Sequence, residues 1–249
     1  MNSGFYAAFA GLRAKSDALD VAANNLANTS TPGYKAQREF YRSLMASMQD
    51  RPLSSLNSAI NNFGVLGGTV PDLQQGMLEA SGNDLDLGLE GAGFFAVQTP
   101  AGVRYTRNGA FHLSESGVLV NADGYPVLGE QGPGKQAPIE IVGAPVSVGS
   151  DGTISVGDVV SGRLWLVDVR EGASLLPEGS SYFAAEAKDL RPAANVRVRQ
   201  GFLEASNMNP VTGAVDLILL QRHAEMLMRA VSIFYTEFNQ IATQDLARV

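Results

Sequence analysis

The sequence predicts an α+β protein: helices at the two ends of the chain forming a coiled-coil-like layer, and a central all-β domain, sandwich- or barrel-like, preceded by an extended arm. Three observations predict it. Apolar residues recur at alternating steps of four and three near the start, at Phe5, Phe9, Leu12, Ser16, Leu19, Ala23 and Leu26. The same spacing returns near the end, at Leu217, Leu220, Ala224, Leu227, Val231, Phe234, Phe238 and Ile241, and both patterns are those of a helical seam. Between them lie short apolar runs at intervals of roughly ten residues, each bounded by Gly, Asn, Asp or Ser, which is the signature of a β-rich domain.

The first helix is expected from Asn2 to about Asn28, with Asn2 or Ser3 as its cap. Gly4 and Gly11 weaken it by up to about 1 kcal/mol each relative to Ala; they are either tolerated defects or sites of close helix approach. The helix ends where Asn28, Thr29, Ser30 and Thr31 compete for backbone bonds. Pro32 cannot continue it, and Gly33 permits a positive φ. Asn24 and Asn25 are poor interior helix residues. Asn24, Asn25 and Asn28 either terminate the helix locally or bond across to neighbouring subunits or to the C-terminal helix, where Asn207 and Asn209 are the natural counterparts.

Residues 36–82 are expected to form the arm. Phe40, Tyr41, Leu44 and Met45 fit either a helical face or a short strand, Asp50–Asn62 reads as an irregular loop, and Gly64–Met77 reads as strands returning to the body. Residues 83–204 are the expected body. Its strands begin with Phe94–Gln98 and Val103–Thr106. They continue through Ala110–Leu113, Gly117–Val120, Pro126–Leu128, Ile139–Val142, Val146–Val148 and Thr153–Val156 to Leu164–Val169. Asp151-Gly152 is a hairpin signal. Asn207-Met208-Asn209-Pro210 opens the last helix, with Pro210 at its first position; to about Ala247 it measures roughly 55 Å. The helical domain is thus discontinuous, residues 1–35 with 205–249.

Composition narrows the function. The chain has 249 residues, a net charge of −7, no cysteine and two histidines. There is no clustered Lys/Arg footprint for nucleic acid, and no thiolate metal site or disulfide is available. No stretch approaches the roughly 20 apolar residues of a bilayer span, and the N-terminus lacks the pattern of a cleaved secretory signal. His112 and His223 accompany no nucleophile motif. Gly91-Ala92-Gly93 precedes no helix and no Gly-Lys-Ser/Thr, so it is not a phosphate loop. Asp84, Asp86 and Glu90 alternate with leucines and lack the distal Glu of a calcium loop. No catalytic, cofactor or metal residues are expected.

Four motifs carry a resemblance. They are Ala23-Asn24-Asn25-Leu26-Ala27-Asn28 with Thr31-Pro32-Gly33-Tyr34-Lys35; Asn83-Asp84-Leu85-Asp86-Leu87 with Gly91–Val97; Tyr105-Thr106-Arg107-Asn108-Gly109-Ala110-Phe111 with Gly117–Val120; and Gly201–Val211. In this order the chain resembles the bacterial flagellar rod and hook family of axial proteins over nearly its whole length. The resemblance implies a structural subunit, not an enzyme. Such a subunit assembles into the helical drive shaft with other copies of itself and with other rod proteins. It is exported without a cleaved signal through the flagellar type III apparatus to the periplasmic rod of the basal body. Asn209-Pro210-Val211 followed by Gly213-Ala214-Val215-Asp216 is closer to the proximal-rod type than to the distal-rod type. The expected assembly interface comprises Phe5, Phe9, Leu12, Leu19 and Leu26 of the first seam, Leu217, Leu220, Leu227, Val231, Phe234, Phe238 and Ile241 of the second, and Asn24, Asn25, Asn28, Asn207 and Asn209. Ile218, Leu219, Met226, Met228, Ile233 and Tyr235 lie off the seam, and this surplus marks an interaction surface. The competing reading is a soluble β-domain ligand-binding protein or hydrolase with a helical dimerisation clasp.

Overall fold

A computed structural model describes residues 2–43, 64–132, 135–143, 145–157, 159–170, 172–173, 175–179 and 181–246. Side chains are described for these residues except 2–8, 10, 40–43, 64–67, 234 and 237–246. The loop expected at 50–62, Leu44 and Met45, and the side chains of Phe5, Phe234, Phe238 and Ile241 therefore lie outside the described residues. Two compact units are present, one of residues 1–27, 37–69 and 210–249, the other of 28–36 and 70–209.

The first unit holds α1 (Asn2–Ala27), the paired strands β1 (Gln37–Ser43) and β2 (Gly64–Pro71), and α2 (Pro210–Leu246). The ambiguous stretch after Lys35 is thus a strand as far as Ser43, and the return predicted from Gly64 begins as β2. Proline stands at the first position of α2, where its missing N–H costs no bond. The two helices pack along each other. The least exposed positions of α2 include Gly213 and Ala224, with Leu217, Leu220, Leu227 and Val231 half-buried. In α1 they are Ala14, Ala18 and Asn25. Small side chains thus sit at the deepest points of both helices, as close helix approach requires.

The second unit is the β body, and every strand pair recorded in it is antiparallel. A six-stranded sheet runs in the order β15 (Leu176–Glu178), β16 (Tyr182–Ala184), β6 (Gly102–Thr106), β5 (Phe94–Thr99), β14 (Leu166–Val169), β17 (Leu190–Pro192). A five-stranded sheet runs β10 (Gln136–Pro138), β9 (Leu128–Glu130), β13 (Val159–Leu164), β12 (Thr153–Val156), β11 (Val146–Val148). Three further pairs join β18 (Val196–Gln200) to β4 (Leu87–Gly91), β19 (Phe202–Glu204) to β3 (Leu78–Ala80), and β7 (Phe111–Leu113) to β8 (Leu119–Asn121).

Strand β5 explains how the body is filled. Successive side chains of a strand point to opposite faces. Phe95 and Val97 enter one cluster with Leu89, Phe111, Val127 and Ile154. Phe94 and Ala96 enter another with Tyr105, Val167 and Phe183. Both faces of β5 are buried, so its sequence is a continuous apolar run and not an alternating one. The ring pairs Phe95–Phe111 and Phe94–Phe183 meet edge to face at centroid distances of 5.0 and 5.6 Å.

Several strand expectations change: Pro126–Leu128 joins a strand only at Leu128 and Gly117–Val120 only from Leu119. The run Leu164–Val169 divides at Trp165 between β13 and β14, which belong to different sheets. Ile139–Val142 is not a strand; β10 lies just before it, and Glu140 makes only an isolated bridge to Val118. Ile139 and Ile141 are nevertheless core residues, so the apolar alternation reports burial there and not a ladder. The Asp151-Gly152 turn stands between β11 and β12 as its residues require: Gly152 has φ +84°, and its N–H donates to Gly149 O at 2.9 Å.

Candidate functional site: a buried ion triad and an outward apolar helix face

Parts of the four sequence motifs meet inside the body: Gly33 to Lys35, Gly91, Arg107 and Glu204. Residues 28–36 end in Tyr34-Lys35-Ala36, all three buried. The Pro32-Gly33 turn is needed to bring them in. Gly33 has φ +69°, and a Cβ there would lie 2.3 Å from the Arg107 and Asn108 main chain. Only glycine allows that approach. The Gly33 N–H donates to Glu204 O at 2.7 Å.

Lys35, Arg107 and Glu204 then form an ion triad with side chains 1%, 4% and 0% exposed. Lys35 Nζ donates to Glu204 Oε1 at 2.5 Å and to Gln74 O at 2.6 Å. Arg107 Nη1 donates to Glu204 Oε2 at 3.1 Å, and Nη2 donates to Gly91 O at 2.6 Å. The Arg107 guanidinium also lies over the Phe94 ring, 5.2 Å from its centroid. Glu204 Oε1 accepts a further bond from Gly76 N–H at 2.9 Å. One carboxylate thus serves two cations and one main-chain donor. Arg107 Nε is buried without an acceptor among the described residues.

Burial costs charge its hydration and pushes the Lys35 ammonium below the usual lysine range, an effect the Glu204 carboxylate opposes. Burial likewise lowers Arg107, again against Glu204. Removing Glu204 leaves two buried cations without their bonded carboxylate and costs about 3–5 kcal/mol. Beside the triad, burial raises the Tyr34 hydroxyl to about 12.

The asparagines are placed as follows. Asn25 is buried on α1; its Oδ1 accepts from Gln37 N–H and its Nδ2 donates to Gln37 O, both at 2.8 Å. The carboxamide thus bonds the start of β1 as a strand neighbour would. Asn28 O and Oδ1 accept from Thr31 N–H and Oγ1 at 3.2 and 3.1 Å, closing the turn. Asn207 Oδ1 accepts from Ala36 N–H, and Nδ2 donates to Asp72 O and Gln74 O. Asn24 and Asn209 are exposed.

On the helices, Leu12, Leu19 and Leu26 are half-buried and Phe9 is 56% exposed. The off-seam residues of α2 point outward. Ile218, Leu219, Met226, Met228, Ile233 and Tyr235 are all exposed, Tyr235 to 63%. Among the described residues, no group of three or more His, Asp or Glu is placed to hold a metal ion, and no helix is long and apolar enough to cross a membrane.

Sequence reasoning did not find the triad. Its signal was a single charge embedded in each of three otherwise apolar or turn-forming motifs: Lys35 after Pro-Gly-Tyr, Arg107 after Tyr-Thr, and Glu204 after Phe-Leu.

Comparison with known proteins agrees with the motifs. Residues 5–35 match the family described as flagella basal body rod protein. Residues 88–156 match the flagellar hook protein FlgE/F/G D1 domain, and residues 199–234 match the flagellar basal body rod FlgEFG protein C-terminal family. The flagellar basal-body rod protein FlgF of Caulobacter vibrioides is 33% identical over 93% of this chain and 92% of its own length. That of Salmonella typhimurium is 33% identical over 85% and 86%. The flagellar basal-body rod protein FlgG of Bacillus subtilis is 28% identical over 87% and 89%.

Proposed function

Because the chain belongs to the flagellar basal-body rod protein family, we propose that it is a structural subunit of the rod that assembles through the outward faces of α1 and α2. The observation that carries this reading is the exposed apolar surface of α2. A soluble protein that keeps Ile218, Leu219, Met226 and Ile233 in water has a partner for them. Seam residues that α1 and α2 leave half-buried, among them Leu12, Leu19, Leu217 and Leu227, extend the same surface. A contact that joins one face of a subunit to a different face of the next repeats without closing, which is how identical chains build a helical shaft.

The proximal segment of the rod is the favoured position. The relatives at 33% identity named above carry the FlgF name, whereas the Bacillus subtilis FlgG is 28% identical, and Asn209-Pro210-Val211 opens α2 in the proximal manner. Its partners are other copies of itself and other rod proteins. It reaches the periplasmic rod through the flagellar type III export apparatus without a cleaved signal. The chain has no enzymatic role in this reading; it transmits torque.

The test is a full-length chain carrying Ile218→Asp and Met226→Asp, expressed in cells lacking the parent. The expected result is loss of rods in electron micrographs of basal bodies, with the near-ultraviolet circular dichroism of the purified chain unchanged. Normal rods would sink the reading.

A further inference from the structure

Lys35 and Arg107 bury two positive charges against one carboxylate, and that carboxylate comes last in the chain. Glu204 lies 169 residues after Lys35 and 97 after Arg107. The other bonds made by this late segment span similar distances: 128 residues from Glu204 to Gly76 and 171 from Asn207 to Ala36. The segment carrying Lys35 has no freedom to dock at a distance from Arg107, because Gly33 lies directly on the Arg107 and Asn108 main chain. Without Glu204, seating residues 28–36 would therefore bury an ammonium and a guanidinium with no carboxylate bonded to either and only the weaker fields of Asp72 and Asp168 to offset them, which is unfavourable.

We propose that Glu204 is an electrostatic gate on the seating of residues 28–36: this segment docks beside Arg107 only once the carboxylate is in place. A chain emerging from its N-terminus has both cations before it has the anion. The segment that follows α1 is then held off the body until nearly the whole body has been made or delivered. The inference concerns the chain by itself and does not rest on the rod reading.

The experiment is amide hydrogen exchange on the full-length chain. Three reporters are Gly33, Ala36 and Gly76, whose N–H groups donate to Glu204 O, Asn207 Oδ1 and Glu204 Oε1. Three references are Leu119, Val127 and Ile139, bonded within the body. In Glu204→Gln the reporters exchange faster by about a hundredfold, while the references stay within about threefold. Adding Lys35→Met removes the surplus cation and returns the reporters to within about tenfold of the parent. Equal exchange in the single and double variants would overturn the proposal, since a residue acting only through its hydrogen bonds gains nothing from losing Lys35. Acceleration of all six amides together would also overturn it. If Glu204→Gln does not fold, recovery of a folded chain in the double variant carries the same result, and failure of both contradicts it. In pulse-labelled refolding of the parent, Gly33 and Ala36 gain protection with Gly76 and not ahead of it; earlier protection would contradict the gate.

Discussion

The helical unit and the β body solve the burial problem in opposite ways. The body turns its bulky side chains inward: Phe95, Phe111, Leu89 and Ile154 are essentially closed to water. Its outer strands are also guarded. Pro138, Pro177 and Pro192 lie within the edge strands β10, β15 and β17, and Pro145 precedes β11. A proline on an edge removes a ladder donor and discourages pairing with another sheet. The helical unit does the reverse. Among its described side chains the deepest positions are mostly small, at Ala14, Ala18, Gly213 and Ala224, its seam leucines are half-buried, and Ile218, Leu219, Met226, Met228 and Ile233 are exposed. The difference is one of arrangement: the body encloses its aromatic core even though Val142, Val159 and Leu176 stay exposed on its surface, whereas α2 lines up Ile218, Leu219, Met226 and Ile233 along one exposed helix.

The comparison is broken most directly by truncating each kind of residue. Phe95→Ala removes an enclosed ring and should cost about 3–5 kcal/mol of stability, read from urea denaturation. Ile218→Asp touches an exposed position and should stay within about 0.5 kcal/mol. Equal losses at the two sites would mean that the outward face is packed within the monomer. Next in size is Gly33→Ala, which forces a side chain into a left-handed conformation against the Arg107 main chain. A loss of about 1–3 kcal/mol by the same measurement is expected.

A smaller effect sharpens the contrast within the helical unit. Asn25→Ala removes both carboxamide bonds to Gln37 and should cost about 1 kcal/mol, with faster exchange of the Gln37 amide. An unchanged Gln37 amide would show that β1 is held otherwise. A further effect appears only in alkali. The Tyr34 hydroxyl is raised from its ordinary 10 to about 12 by burial, so the fold favours its neutral form. Its contribution is intact below pH 10 and is lost as pH rises from 10 toward 12. Tyr34→Phe should therefore flatten part of the fall in urea midpoint over that window. An identical slope in parent and variant would place Tyr34 in contact with water.

Much of this architecture is legible in the residues, because local periodicity reports local burial. The helix ends at Ala27 and Pro210, the run at β5 and the Asp151-Gly152 turn all follow from short-range rules. What local patterns do not carry is partnership. The run Leu164–Val169 gives no sign that Trp165 divides it between two sheets. The stripe through Phe9, Leu12, Leu19 and Leu26 is apolar at helical spacing, yet among the described side chains of α1 the most buried are Ala14, Ala18 and Asn25. Periodicity finds a face and not what lies against it. The triad is the extreme case: Lys35, Arg107 and Glu204 are unremarkable singly, and only the tertiary fold makes them neighbours. Asn207 is expected from the sequence to answer the asparagines of α1, whereas the bonds it makes run to Ala36, Asp72 and Gln74.

In the proposed assembly, the outward face of α2 is covered by another subunit of the shaft. The chain has no cysteine, so Ile218→Cys introduces a single thiol on that face. Its reaction rate with a bulky maleimide is compared in the purified monomer and in isolated basal bodies. The account predicts rapid labelling of the monomer and protection in the basal body. Equal labelling in both would contradict it, because a face that stays open to a bulky reagent in the shaft is not what holds the shaft together.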